Sequence, residues 1–110
     1  MKFLVDLLAK HKFIFKSIKE IDKKKLSTTK KINIYEAIDL EGYYVAIFYI
    51  KRKSRFVRKN VIDLEELYEV LKKVQDHNFK RKIIIYDMPF CSKAKKMLKE
   101  NKWIMINASI

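Results

Sequence analysis

The sequence contains few of the residues that break or cross-link a chain: one glycine, one proline and one cysteine among 110 residues. A single glycine excludes the glycine-rich loops that cradle phosphates and the strained turn that presents a serine nucleophile. A single cysteine, Cys91, excludes an internal disulfide and a multi-cysteine zinc site. The two histidines, His11 and His77, lie far apart in the sequence, which argues against a histidine-based metal site and against an activated Cys91.

Acidic residues are also scarce relative to basic ones. The chain has 13 Asp and Glu residues against 26 Lys and Arg, which leaves a formal net charge of +13 at pH 7. Heat-adapted proteins are also rich in lysine, but their Glu content rises with it, and net charge alone favours solubility. Because the acids fall far behind here, the excess predicts a polyanionic partner, and nucleic acid is the polyanion that we favour.

Length and composition predict one α/β domain over residues 1–110, with residues 1–25 as an N-terminal helical segment and residues 32–110 as a sheet core with two helices. Hydrophobic residues make up 49% of the chain, which is enough to fill such a core. The short apolar run at the start includes the charged Asp6 and has no small-residue cleavage site. We therefore expect neither a signal peptide nor a membrane span, and a cytoplasmic location.

Apolar residues at helical spacing predict an amphipathic helix over residues 2–21, with lysines largely on the opposite face. Such a basic helix also suits a membrane surface, but the apolar stripe is needed here to cover a sheet. The polar residues 22–31 are expected to link this helix to the rest of the chain. The stripe consists of Leu4, Leu7, Leu8, Ile14, Phe15, Ile18 and Ile21.

A β-hairpin is the clearest feature of the sequence. Residues 32–40 and 43–52 are expected to form its strands, and Glu41 and Gly42 its turn, where glycine supplies a positive φ. In the second strand, both alternating sets of side chains are largely apolar. This pattern predicts a strand at the centre of a sheet.

The remaining residues alternate between helix and strand. A second helix is expected to start after Asp63, with Glu66 completing a capping box. Strands are expected at residues 82–86 and 103–106, separated by a helix that runs from a Ser92 cap to Asn101. The order α-β-β-α-β-α-β then predicts a mixed sheet flanked by helices. The second helix is expected to bury Leu64, Leu67, Tyr68, Leu71 and Val74.

Charged residues cluster around the hairpin. Glu36 and Asp39 lie near the end of its first strand, and Lys51 lies near the end of its second. A basic run starts there, and its arginines and lysines are the residues that neutralise phosphates in nucleic-acid complexes. Phe56 inside the run either stacks on a base or anchors the loop to the core, and we favour anchoring. The basic run consists of Lys51, Arg52, Lys53, Arg55, Arg58 and Lys59.

This arrangement resembles the PD-(D/E)XK nuclease superfamily, which includes Mrr-type restriction endonucleases and archaeal Holliday-junction resolvases. In that superfamily a helix precedes a β-hairpin that carries the motif, and a further helix and more strands follow. Residues 82–86, 92–94 and 103–107 are similar to the closing part of Mrr-type domains. The resemblance implies a restriction-endonuclease-like fold, DNA in preference to RNA as the partner, and a homodimer.

By this resemblance, Asp39 or Glu36 is the first catalytic acid and a Mg²⁺ ligand, and Lys51 orients or activates the attacking water. The second acid of the superfamily, two residues before the lysine, falls on Tyr49, whose phenol is a poor Mg²⁺ ligand. Asp39 and Glu36 lie on opposite faces of a regular strand, so a bulge, or a place in the turn for Asp39, is needed to bring both to one metal.

Three functions stay open at this point. The first is a Mg²⁺-dependent endonuclease that uses Lys51. The second is a nuclease-like domain that binds nucleic acid without cutting it. The third is an unrelated α/β domain, for example a protein-interaction module. Without catalysis, Lys51 is simply the first solvated residue after a buried strand, and Asp39 is part of a turn.

Overall fold

The secondary structure of the computed structural model contains one strand more than the sequence predicts. The structure describes residues 2–26 and 32–108, so residues 27–31 of the expected link lie outside the described part. The observed order is α-β-β-β-α-β-α-β. The elements are α1 (Lys2–Lys10), β1 (Phe15–Ile21), a 3₁₀ turn (Lys23–Leu26), β2 (Ile32–Asp39), β3 (Tyr44–Lys51), α2 (Arg58–Gln75), β4 (Arg81–Asp87), α3 (Ser92–Glu100) and β5 (Trp103–Asn107).

The five strands form one mixed sheet in the spatial order β1-β2-β3-β4-β5. Neighbouring strands among β1, β2 and β3 pair antiparallel, whereas β3, β4 and β5 pair in parallel. β3 therefore lies at the centre, as its two apolar faces predict. The parallel strands all finish at one end of the sheet, which we call the carboxyl end. The turn between β2 and β3 lies at the other end, which we call the hairpin end.

The helices cover both faces of the sheet. On one face, Ile47 and Ile83 are fully buried in a cluster that includes Leu8 of α1. On the other face, Phe48 and Ile84 are fully buried beneath α2 and α3. This packing confirms a mixed sheet flanked by helices. No helix in residues 2–26 or 32–108 is long and apolar enough to span a membrane.

The expected helix over residues 2–21 is wrong after residue 10. Lys12 adopts a left-handed conformation with a φ of 68°, and the N–H groups of Lys12 and Phe13 donate to the carbonyls of Ala9 (2.9 Å) and Leu8 (2.8 Å). This bonding pattern ends the helix in the way that a glycine usually allows. Aromatic and β-branched residues follow, which favours a strand, and β1 forms.

Helix α2 starts five residues before the expected Asp63. Its first residue is Arg58, and the side-chain Oδ1 of Asn60 accepts a hydrogen bond of 2.9 Å from the N–H of Val57. Asp63 therefore lies inside the helix and is not its cap. The expected buried stripe is confirmed except at Val74, which is 40% exposed. As a consequence, Arg58 and the following lysine belong to a helix rather than to a loop.

Helix α3 is capped one residue earlier than expected. Cys91, and not Ser92, is the N-cap, and its Sγ accepts a hydrogen bond of 3.3 Å from the N–H of Ala94. The cysteine has a structural role, as the absence of a neighbouring histidine in the sequence predicts.

Candidate nucleic-acid interface

The register of the hairpin separates the predicted catalytic residues. Tyr44 pairs with Ile38 beside the turn, whereas Ile50 pairs with Ile32 at the carboxyl end. Lys51 therefore lies seven residues along β3 from the position that faces Ile38, about 24 Å at 3.4 Å per residue. Asp39 is at the hairpin end of the sheet and Lys51 at the carboxyl end. The structure does not bring Asp39 to Lys51.

Asp39 instead organises the hairpin turn. Its Oδ1 accepts hydrogen bonds from the N–H groups of Glu41 (3.0 Å) and Tyr43 (2.9 Å), and its Oδ2 lies 3.3 Å from Nη1 of Arg81. Gly42 follows with a φ of 92°, as the turn requires. The N–H of Tyr43 lowers the pKa of Asp39 most, burial opposes it, and Glu41 and Arg81 lower it further. The turn interpretation of Asp39 is confirmed.

Glu36 is buried on the face beneath α2. Its carboxylate lies 2.6 Å from Nε2 of His77 and 3.3 Å from Nζ of Lys19, and it accepts a hydrogen bond of 3.1 Å from Gln75. Burial raises the pKa of Glu36, but the hydrogen bonds from Gln75, His77 and Lys19 outweigh burial and lower it. Glu36 pairs with Ala46, about 17 Å of strand from Lys51. It joins β2 to the end of α2.

The predicted Mg²⁺ ligands do not fit a metal site. Glu36 and Asp39 face opposite sides of β2, and the oxygens of each already bind protein cations or N–H groups. Within residues 2–26 and 32–108, no three His, Cys, Asp or Glu side chains are grouped to hold a metal ion. Beside Tyr49, the paired residue on β2 is Asn33, an amide rather than a carboxylate.

The basic run, in contrast, gathers at the carboxyl end. Five of its six cations are exposed and Arg52 is half-buried. None of the six forms an ion pair with the part of the chain that the structure describes. Phe56 is 3% exposed and its ring centroid lies 5.4 Å from that of Phe90. Phe56 therefore anchors the basic run to the core, as predicted.

Two helices start at this end with unfavourable charge. Arg58 and Lys59 occupy the first turn of α2, and Lys93 occupies the first turn of α3, with no acid in either first turn. The amino end of a helix carries partial positive charge, so a cation there costs about 0.3–1 kcal/mol. Such cations are expected at a site that binds an anion, because the cations and the N–H groups at the start of a helix attract the anion together.

A cavity of about 760 Å³ opens at the carboxyl end. In open α/β sheets, ligands bind outside the carboxyl ends of the strands. Lys51 and Asp87 are register neighbours on β3 and β4, and both line the cavity. The lining combines cations, two carboxylates, an amide and four apolar side chains. It consists of Lys51, Arg52, Lys53, Asn60, Asp63, Asp87, Ile32, Ile50, Phe56 and Leu64.

The sequence interpretation overlooks Asp87 and misassigns Asp63. Asp87 directly follows an apolar run that is typical of a buried strand, and this position is a usable signal, because the carboxyl ends of parallel strands meet at one edge. The sequence around Asp63 fits the pattern of a helix cap, and this interpretation gives no indication that Asp63 lines a cavity. The carboxylates nearest to Lys51 along the lining are therefore these two, and not the pair in the hairpin.

The fold is similar to that of solved structures of a repair endonuclease and of EndoMS. A repair endonuclease from Pyrococcus abyssi is 18% identical with a TM-score of 0.55, and the match covers 96% of this chain. EndoMS in its apo form is 17% identical with a TM-score of 0.58, covering 97% of this chain. EndoMS in complex with double-stranded DNA is 16% identical with a TM-score of 0.53, covering 96%.

This chain spans 43–45% of the length of those three structures. A scan against protein-family models and a search of the curated proteins give no match. At this level of identity the likeness establishes the fold alone, so function has to be argued from the chain's own residues.

Proposed function

We propose that this chain is a domain that binds double-stranded DNA through the basic run at its carboxyl end and does not cut it. The observation that carries the proposal is the set of six cations at the carboxyl end that form no ion pair among the described residues. Three of them, Lys51, Arg52 and Lys53, line the cavity. Phosphate contacts of this kind supply most of the sequence-independent affinity for DNA. DNA is favoured over RNA because the fold is similar to that of EndoMS, whose structure was solved with double-stranded DNA.

The absence of cleavage is proposed from the residues around Lys51. In the superfamily that the sequence resembles, the lysine acts beside two acids. Here the position of the second acid, two residues before Lys51, holds Tyr49, which pairs with Asn33 on β2, and Glu36 and Asp39 are bound elsewhere. A phenol and an amide do not replace two carboxylates as Mg²⁺ ligands.

A salt titration of duplex binding tests the proposal. Fluorescence anisotropy with a labelled duplex should show affinity falling steeply with salt, by about 10³-fold or more between 50 and 200 mM if six phosphates are contacted. Replacing Arg52, Lys53, Arg55 and Arg58 by Gln should remove most of the affinity and flatten the slope. An affinity independent of salt, or unchanged by these substitutions, would overturn the proposal.

A control removes two positive charges from the hairpin end, against four in the test variant. Lys10, Lys16, Lys80 and Arg81 are four cations away from the carboxyl end, but Arg81 binds Asp39 and Lys80 lies 3.7 Å above the ring of Tyr43. The exposed Lys10 and Lys16 are therefore the better choice. Replacing both by Gln should change duplex affinity by less than about threefold, because neither lies at the proposed interface.

A second candidate function, phosphodiester hydrolysis, is favoured by one observation. Lys51 and Asp87 are register neighbours, and Asp63 lines the same cavity. Mg²⁺ binds through one or two carboxylates together with substrate phosphates, and would polarise a phosphate oxygen and activate water there. Divalent-dependent cleavage that is lost in both Lys51→Ala and Asp87→Asn would establish this function and end the non-catalytic proposal.

Two further expectations belong to the same proposal. We propose a homodimer, because nucleases of the superfamily that the sequence resembles often act as dimers. Light scattering that shows a monomer well above micromolar concentration would reject it. A cytoplasmic location likewise follows from the proposed DNA partner.

A further inference from the structure

A second basic segment lies at the carboxyl end, outside the basic run. This segment is the 3₁₀ turn Lys23–Leu26, which we call the lysine turn. β1 is antiparallel to β2, and β2 is antiparallel to β3, so β1 finishes at the same end of the sheet as β3. The sequence alone shows these lysines only as part of a polar link.

The placement of the two basic segments on the sheet follows from the register. Ile21, the last residue of β1, pairs with Ile34, which pairs with Phe48, three residues before Lys51. β1 and β3 are two strand spacings apart, about 10 Å. The lysine turn and the basic run therefore stand on two sides of the same end of the sheet, with Ile32 of β2 between them in the cavity lining.

The lysine turn is fixed in place rather than merely attached. Leu26 is 4% exposed and belongs to the core cluster beneath α2. Asp22 accepts a hydrogen bond of 3.0 Å from the N–H of Lys24 with its side chain, and one of 3.0 Å from the N–H of Lys25 with its carbonyl. Lys24 and Lys25 are exposed. These bonds hold the backbone of both lysines in one orientation towards solvent.

The lysine turn also keeps a positive balance. Asp22 is the one acid among residues 22–26, against three lysines. Glu20 precedes it on β1 and is a second acid, whose carboxylate accepts a hydrogen bond of 3.4 Å from Asn33, so residues 20–26 hold three lysines against two acids. The strands that carry the lysine turn and the basic run, β1 and β3, are thus about 10 Å apart, a spacing comparable with the groove widths of B-DNA, about 6 and 12 Å.

We infer that the lysine turn is a second arm of the DNA interface, so that each arm contacts the backbone of a different strand of one duplex. This inference rests on the proposed function, because the basic run supplies the first arm. A single strand has one backbone and follows one arm. The lysine turn should therefore contribute to binding of duplex DNA and little to binding of single-stranded DNA.

The test compares two double variants that lose the same charge. One is Lys24→Gln with Lys25→Gln, and the control is Lys10→Gln with Lys16→Gln at the hairpin end. Circular dichroism melting first confirms that both variants fold. Anisotropy is then measured for a duplex and for one of its strands, each over a salt series.

In the lysine-turn variant we expect duplex affinity to fall about tenfold and its salt slope to fall by about 1–2, since each lost phosphate contact removes about 0.9. Single-strand affinity should fall by less than about threefold, as should both affinities of the control. Equal losses for duplex and single strand, or a duplex loss no greater than that of the control, would overturn the inference. If the wild-type protein binds no DNA, the proposed function itself fails, which is a different result.

Discussion

Replacing Glu36 by alanine is expected to destabilise the domain and to leave duplex binding of the folded protein unchanged. Glu36 is 5% exposed, and its carboxylate holds Lys19, His77 and Gln75. Both ring nitrogens of His77 face oxygen acceptors, the second being the carbonyl of Asn78 at 3.0 Å. The substitution therefore leaves the Lys19 ammonium, the His77 ring and the Gln75 amide without this partner.

The size of the effect follows from how exposed these partners are. Removing one member of a buried ion pair costs about 3–5 kcal/mol, but the side chain of Lys19 is 66% exposed and that of His77 22%. Water can solvate both in part, so we expect a loss of about 2–4 kcal/mol in the free energy of unfolding. At about 4 °C per kcal/mol, the melting temperature should fall by about 8–16 °C.

Urea denaturation at pH 7, monitored by circular dichroism, measures this loss in the free energy of unfolding. Glu36→Gln retains one acceptor oxygen and should lose less, about 1–2 kcal/mol. Glu41→Gln is the control, since this exposed turn residue should change stability by less than about 0.5 kcal/mol. A Glu36→Ala variant as stable as the wild type would refute the structural role of Glu36. It would return this residue to the set of candidate catalytic acids.

Three further predictions concern the hairpin and the loop that follows it. The N–H of Tyr43 is the main cause of the lowered pKa of Asp39. The ionised carboxylate therefore stabilises the fold above pH 3.8, the ordinary pKa, and this stabilisation is lost as the pH falls below that value. Asp39→Asn should therefore flatten the acid limb of a stability–pH curve. Phe56→Ala should lose about 3–5 kcal/mol in urea denaturation, because the ring is 3% exposed. Tyr49→Glu should destabilise the protein without creating Mg²⁺-dependent nicking of plasmid DNA, since Asn33 supplies no carboxylate beside it.

The sequence predicts the sheet better than it predicts the ends of the helices. Alternating apolar residues identify β2 and β3, and Gly42 marks the turn between them. The helices, however, end at left-handed residues that are not glycine, namely Lys12, Asp76 and Lys102. Lysine and aspartate carry no clear stop signal, so the helical spacing of apolar residues continues in the sequence through residue 21. Tertiary bonds then decide between helix and strand.

The candidate site is misplaced in the sequence interpretation for a different reason. A turn at residues 41 and 42 puts Asp39 beside the turn and Lys51 at the far end of the next strand, so antiparallel geometry alone separates them. The resemblance to nucleases indicates the fold and draws attention to Lys51, but it does not identify the neighbours of this lysine. Those depend on the parallel register of β3 and β4, which places Asp87 next to Lys51 and which no local pattern reports.

Hydrogen exchange of the protein with and without a short DNA duplex tests the central claim most directly. We predict that DNA slows exchange of backbone amides in residues 51–59 and at the start of α3, which all lie at the carboxyl end. Amides of the hairpin turn, residues 40–43, should exchange at the same rate in both samples. Protection of the hairpin turn in place of residues 51–59, under conditions in which the duplex is bound, would contradict the account.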